Sequence, residues 1–273
     1  MPEGPEIKRA ADAVAAALEG RRLTRVELPY PSVADYQEHW QGLTVEQVTS
    51  RGKALLIRFS NEDVLYSHNQ LYGRWFIRKP GNYPTTNRQL RVALENDHKL
   101  AALYSATDIE VLRPDQLDEH PYLAGLGPDI LDPDFGPEAL RRRLLEPEFR
   151  RRQLASLYLD QGFLAGPGNY LRSEILFLAR VHPAAKPEQL SSQKRSRLAE
   201  MTLKVAEHAY QTKGRTTADS LMDKLKAAGK KRRDWRFYAY GRGGRECHRC
   251  GAEIAVKKLA GRDLFFCPRC QAG

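Results

Sequence analysis

Two cysteine pairs near the C-terminus, CHRC at 247–250 and CPRC at 267–270 with sixteen residues between them, constrain the fold more than any other feature. Two C-x2-C knuckles at that distance can turn four thiolates toward one tetrahedral ion, and the spacing is that of a structural zinc site. Cys247, Cys250, Cys267 and Cys270 are therefore the expected ligands of one structural zinc. A thioredoxin-like redox pair needs one such motif in a βαβ context, and haem attachment needs a histidine directly after the second cysteine, where this chain has Gly251 and Gln271. Between the knuckles, EIAVKKLAGRDLFF alternates as two short strands around LAGRD, so the ion is expected to pin a β hairpin whose tip presents Arg262. The tail has too little core to fold alone; zinc supplies about 10–16 kcal/mol in comparable modules. All four cysteines lie in the last twenty-seven residues, which excludes a distributed disulfide framework.

At 273 residues the chain is long enough for two or three units. With 41% apolar and 29% charged residues it reads as ordinary globular protein rather than a disordered one. No run approaches a membrane span, and the first thirty residues lack the continuous apolar stretch of a secretory signal, so a cytoplasmic location without membrane contact is expected. The formal net charge is +10. Its distribution matters more than its size: residues 224–245 hold nine basic residues and one acid, Asp234, interleaved with Trp235, Phe237, Tyr238 and Tyr240. Cations for phosphates and flat rings for bases or sugars make this a nucleic-acid footprint.

Along the chain, residues 5–19 carry Ile7, Ala10, Ala11, Val14, Ala17 and Leu18 on one helical face, with Pro5 placed as a first helical residue and Gly20 as the stop. Short β-like runs follow at 23–28, 54–59, 64–67, 74–77, 90–94 and 99–104, which predict an antiparallel sandwich. GPDILDPDFGPEAL, rich in Pro, Gly and Asp, reads as a hinge followed by a capped helix start. Helical patterns continue through 149–161, 170–179 and 187–212. The polar, basic stretch 214–233 shows little periodicity and reads as a mobile loop. The fold class expected is α+β multidomain: an N-terminal antiparallel β-sandwich with flanking helices (1–126), a hinge (127–136), a helical domain (137–213), a basic linker (214–234) and a zinc-finger β hairpin (235–273).

MPEGPEI at the start of the chain points to chemistry. Removal of Met1 would leave Pro2 with a free secondary amine, which can attack an aldehyde-like carbon and form a cationic iminium that drains electrons from adjacent bonds. A helix beginning just after it disfavours an ammonium there, while Glu3 and Glu6 suit the positive helix end, and Glu3 is close enough to move a proton at the same centre. The plain alternative is a helix entrance with an acidic first turn. RGKALL sets Lys53 after a glycine at the mouth of a strand, suited to a phosphate or a proton transfer, or simply an edge lysine. LAGPGNYLRSEIL opens a glycine-rich turn into a helix where backbone N–H groups and Asn169 could receive a phosphate, or where two helices merely join.

Together PEGPEI, RGK, SHNQLYG, GPGNY and the paired cysteine knuckles resemble, in that order and over nearly the whole chain, the formamidopyrimidine-DNA glycosylase and endonuclease VIII family. MPEGPEI and YSHNQLYG resemble the bacterial endonuclease VIII branch, whereas the oxidised-guanine enzymes usually begin PELPEV. The resemblance implies a bifunctional DNA glycosylase and abasic-site lyase of base-excision repair, a cytoplasmic bacterial monomer acting on duplex DNA with oxidised pyrimidines or abasic sites. It implies Pro2 as nucleophile, Glu3 as proton donor and shuttle, Lys53 as a proton-transfer and phosphate group, and Arg262 as a clamp on flanking phosphates. It further implies a helix-two-turns-helix element in which Asn169 binds backbone, Gln70, Leu71 and Tyr72 as fillers of the gap left by an everted nucleotide, and Glu6 near the DNA. Without the resemblance, residues 70–72 read as a β turn with one core leucine. No contact carries over to Ala124, Gly125 and Leu126, which offer no cation, and 214–233 is longer and more basic than that branch leads one to expect. The rival readings are a non-catalytic zinc-ribbon DNA-binding protein and an RNA-associated zinc protein.

Overall fold

The computed structural model describes residues 2–259 and 261–272, and its contacts divide the chain into two compact units, Met1–Gly125 and Leu126–Gly273. The first unit opens with α1, Gly4–Leu18, whose stripe of Ile7, Ala11, Val14, Ala17 and Leu18 is buried. Among the described residues its strands are β1 (Arg25–Glu27), β2 (Val45–Arg51), β3 (Ala54–Phe59), β4 (Val64–His68), β5 (Arg74–Arg78), β6 (Leu90–Glu95), β7 (Leu100–Tyr104) and β8 (Asp108–Leu112). They form two antiparallel four-stranded sheets, β2-β3-β4-β8 and β1-β6-β7-β5. Leu55, Ile57, Phe59 and Leu65 from the first sheet share one core with Val26, Val92, Leu94 and Leu103 from the second and with the α1 stripe. Each such side chain contributes about 1.5–3 kcal/mol on burial.

Two of these strands, β2 and β8, lie outside the runs expected from the sequence. β2 has a register shift between Val45 and Gln47, and a bulge there interrupts the period-two pattern by which strands are recognised. β8 offers only Ile109 and Val111 between acids before Leu112. Two short helices complete the unit, α2 (Gln37–Trp40) and α3 (Pro121–Ala124).

The second unit contains α4 (Pro137–Arg143), α5 (Leu154–Leu157), α6 (Asn169–Ala179), α7 (Ser192–Gln211), α8 (Asp219–Ala227) and α9 (Arg232–Trp235), then a hairpin of β9 (Ala255–Leu259) and β10 (Arg262–Phe266). Leu140, Leu144, Leu154, Leu157, Leu171, Ile175, Leu198 and Val205 build its core. Three helical expectations change. Only Leu154–Leu157 of 149–161 is α-helical, because Asp160 draws the chain into a turn: its Oδ1 accepts the Gly162 N–H at 2.8 Å and its Oδ2 accepts from Arg152 at 2.7 Å. The helix expected over 187–212 starts at Ser192, where the Ser191 hydroxyl accepts the Lys194 N–H at 3.2 Å. The stretch 214–233, expected to be a loop, holds α8 and the first half of α9. Leu221 and Leu225, one turn apart and both half-buried, supply the face that holds α8, with Leu221 packed beside the cysteine cluster. Among the described residues no helix is long and apolar enough to cross a membrane.

Candidate active site

The sequence puts Pro2 and Glu3 at the mouth of α1, and the fold buries the second of them. Pro2 is half-buried, and Glu3 is the N-cap residue, only 4% exposed. The Glu3 carbonyl accepts from the Glu6 and Ile7 N–H groups at 3.0 and 3.1 Å, and the Glu3 N–H donates to Glu6 Oε2 at 3.1 Å. Gly4 is thus the first helical residue and Pro5 the second, one place later than expected. Glu6, expected near DNA, also ties down the first turn of α1. A carboxylate at the positive end of a fifteen-residue helix, adjoining a proline nitrogen, is an arrangement that can handle a proton.

Lys53 sits in the two-residue loop between β2 and β3, since Arg51 pairs with Ala54. Gly52 takes φ 62° there, the left-handed region that a glycine-first hairpin turn requires and that a side chain resists. The lysine is 9% exposed, and its backbone N–H donates to the Tyr122 hydroxyl at 2.9 Å. His68 lies opposite Ala54 in the ladder and beside Asp108. Burial lowers its pKa below the ordinary value; the Asp108 carboxylate opposes that shift, and the Lys53 charge adds to it. The Tyr122 ring meets the His68 ring edge-on at 5.1 Å. Nothing in SHNQLYG singles out His68 from sequence alone, and Tyr122 carries no sequence signal.

Gln70, Leu71 and Tyr72 follow β4. Leu71 is 58% and Tyr72 68% exposed, so the alternative of a turn with a core leucine is excluded. Gln70 has φ 46°.

In the second unit, Asn169 is the first residue of α6. Its Nδ2 donates to the Asp263 carbonyl at 2.9 Å, and its Oδ1 accepts from Arg172. Asp263 follows Arg262, which opens β10 opposite Leu259 and is exposed, so Asn169 is tied to the zinc hairpin at the residue next to Arg262. Glu174 was missed by sequence reasoning, though an acid inside NYLRSEILFLA is the available signal. Fully buried, it accepts the N–H groups of Tyr238, Ala239 and Tyr240 at 2.7–2.8 Å and the Thr216 hydroxyl. Burial pushes its carboxyl pKa up and these donors oppose the shift.

The four cysteine sulfurs lie within 4.8 Å of one another. Sulfurs about 2.3 Å from one tetrahedral ion stand about 3.8 Å apart, and here Cys247–Cys270 and Cys250–Cys267 are separated by 3.9 and 3.5 Å. Those distances are far beyond a disulfide bond of about 2.05 Å. The donor set fits zinc, and Cys247, Cys250, Cys267 and Cys270 hold one structural ion of it.

Comparison with known proteins agrees with this geometry. The formamidopyrimidine-DNA glycosylase N-terminal domain matches residues 1–105, the H2TH domain of the same enzymes residues 126–220, and the zinc finger found in FPG and IleRS residues 244–273. Endonuclease 8 of Shigella sonnei (strain Ss046) is 46% identical over 271 residues, 99% of this chain and 100% of the relative. Endonuclease 8 of Escherichia coli (strain K12 / DH10B) gives the same identity and coverage. In fold, Lactococcus lactis FPG in complex with FAPY-dG-containing DNA superposes with a TM-score of 0.78 at 23% identity, covering 98% of this chain and 99% of that one. The same organism's Fpg with abasic-site DNA gives 0.79 at 23%, covering 99% and 100%. The chain belongs to the formamidopyrimidine-DNA glycosylase and endonuclease 8 family of base-excision-repair DNA glycosylases and abasic-site lyases.

Proposed function

We propose that the chain removes oxidised pyrimidines from duplex DNA through a Schiff base on Pro2 and then cuts the strand by β and δ elimination. With Met1 removed, the Pro2 nitrogen attacks C1′ of the damaged nucleotide, the bond from C1′ to the base breaks, and the base leaves with the proton that the Pro2 nitrogen gives up; a proton from Glu3 to O4′ then opens the C1′–O4′ bond and leaves an iminium between Pro2 and C1′. The resulting iminium withdraws electrons so that a proton is lost from C2′ and the 3′ phosphate departs; a second elimination releases the 5′ phosphate. Lys53 grips a phosphate and relays protons, and Arg262 supports the phosphates beside the lesion. Asn169 and the start of α6 bind backbone. Gln70, Leu71 and Tyr72 occupy the space of the everted nucleotide, offsetting part of an extrusion cost of a few kcal/mol. Residues 1–126 carry the chemistry, 127–136 form the hinge, and 137–213 with 235–273 hold the backbone. The exposed cations of 214–234, among them Lys224, Lys226 and Arg233, add contact with phosphates. The protein acts as a cytoplasmic monomer.

The observation that carries this reading is the buried Glu3 carboxylate held at the helix end next to Pro2. A zinc-ribbon protein that only bound DNA would have no use for that pair. Glu3→Gln keeps the shape and removes the charge. Single-turnover base release from a duplex with an oxidised pyrimidine should fall by about 10²- to 10⁴-fold, the usual worth of a general acid–base group, while DNA affinity stays near wild type. Normal base release by the variant would take Glu3 out of the mechanism.

A further inference from the structure

The segment 69–73 presents an unusual combination, an exposed leucine and an exposed tyrosine on a loop that is nevertheless fastened from several sides. Loops of this kind are ordinarily mobile, and fixing each residue's backbone costs about 1–2 kcal/mol. If that ordering had to occur on the DNA, it would subtract from the work available for unstacking a base.

The fastenings are of two kinds. Within the segment, the Gln70 N–H donates to His68 Nδ1 at 3.2 Å and the Gly73 N–H donates to the Asn69 carbonyl at 2.7 Å. Gly73 is required by close approach: a Cβ there would lie 2.7 Å from both Asn69 Cα and the Asn69 carbonyl oxygen and 3.0 Å from Ala106 Cβ. From outside come two side chains. Arg88 Nη1 donates to the Tyr72 carbonyl, and the Thr107 hydroxyl donates to Gln70 Oε1 at 3.0 Å. Each of these is itself anchored, for the Arg88 N–H donates to Thr86 Oγ1 at 3.3 Å and the Thr107 carbonyl accepts from the Tyr30 hydroxyl at 3.0 Å. Arg88 precedes β6 and Thr107 lies between β7 and β8, so segments distant in sequence converge on the loop. Arg88 holds Tyr72 by the backbone, and Thr107 holds Gln70 by the side chain.

We infer that Arg88 and Thr107 are positioning residues for the wedge Gln70–Leu71–Tyr72, keeping it in the shape that enters a duplex before any DNA arrives. The inference rests on the reading of residues 70–72 as the occupants of the vacated base position. Its consequence is selective. A braced wedge helps the step in which a paired, stacked base is driven out, and helps little where no base remains to be unstacked.

Arg88 and Thr107 are exposed and outside the core, so their replacement leaves the fold intact. The test compares two duplexes of one sequence, one with an oxidised pyrimidine opposite a normal partner and one with an abasic site, under single-turnover conditions. Arg88→Ala should slow base release from the first by about tenfold, the worth of one ordering hydrogen bond, while cutting at the abasic site stays within about twofold. Arg88→Lys, which can still donate to the carbonyl, should recover most of the loss, and Thr107→Val should show the same selectivity more weakly. Unchanged base release in Arg88→Ala, or an equal loss on both duplexes, overturns the brace while leaving the proposed function standing. A wild-type chain that cuts abasic sites yet releases no base overturns the proposed glycosylase reading, and the brace falls with it.

Discussion

The two units hold their functional groups by different physics. In the first, two sheets and α1 bury a broad apolar core, and the proposed reactive residues sit at the ends of elements that this core already fixes: Glu3 at the cap of α1, Lys53 in the hairpin turn, Gln70 to Tyr72 after β4. The zinc module of the second has a small cluster, Phe177, Tyr238, Ala239, Cys247, Ile254 and Cys267, in which two members are metal ligands and Phe177 comes from α6. There, polar anchors replace area. Glu174 gathers three successive N–H groups, and Arg242, 4% exposed, donates to the Tyr238 and Glu246 carbonyls at 2.6 and 2.7 Å. Where burial is plentiful the chain can place chemistry at its margins; where it is scarce, an ion and a few satisfied charges must fix the binding surface.

The largest effect that could break this contrast is metal loss. Removing zinc withdraws about 10–16 kcal/mol from a module that otherwise rests on a small apolar cluster and a few polar anchors. Amide exchange should then show β9 and β10 unprotected while β3 and β4 keep their protection; simultaneous loss in both units would mean that they do not differ as described. Next comes Glu174→Ala, which strands three N–H groups, those of Tyr238 and Ala239 buried and that of Tyr240 partly so, and should cost about 3 kcal/mol or more in urea unfolding of the zinc-loaded protein, at about 1–3 kcal/mol per unsatisfied group. A cost below about 1 kcal/mol would show that water or a neighbour replaces the carboxylate. The smallest is Arg262→Ala, which removes one exposed cation: DNA binding should weaken and its salt slope fall by about one unit. An unchanged slope would remove Arg262 from the phosphate contacts.

How much of this could be read from residues alone follows the same division. The cysteine knuckles, the α1 stripe and strands such as β3 announce themselves through spacing, because each depends on local periodicity or ligand geometry. β2 hides behind its bulge. α8 hides because so few apolar residues mark its face amid cations. Pro2, Glu3, Lys53 and Asn169 were legible as motifs, yet part of what holds the last two is not local: Tyr122 is 69 residues from Lys53, and Asp263 is 94 from Asn169. Glu174 shows the limit most plainly, since its N–H donors lie 64 to 66 residues away and only the fold reveals why an acid belongs inside an apolar helix.

The central claim is that Pro2, freed of Met1, forms a covalent iminium with DNA. Borohydride reduction of the Met1-free protein with abasic-site duplex, followed by mass mapping of the cross-linked peptide, tests it directly. The account predicts a stable one-to-one adduct on the peptide that begins PEGPEIK, with Pro2 as the modified residue. An adduct on Lys53, or no adduct from a protein that still binds the duplex, would contradict it.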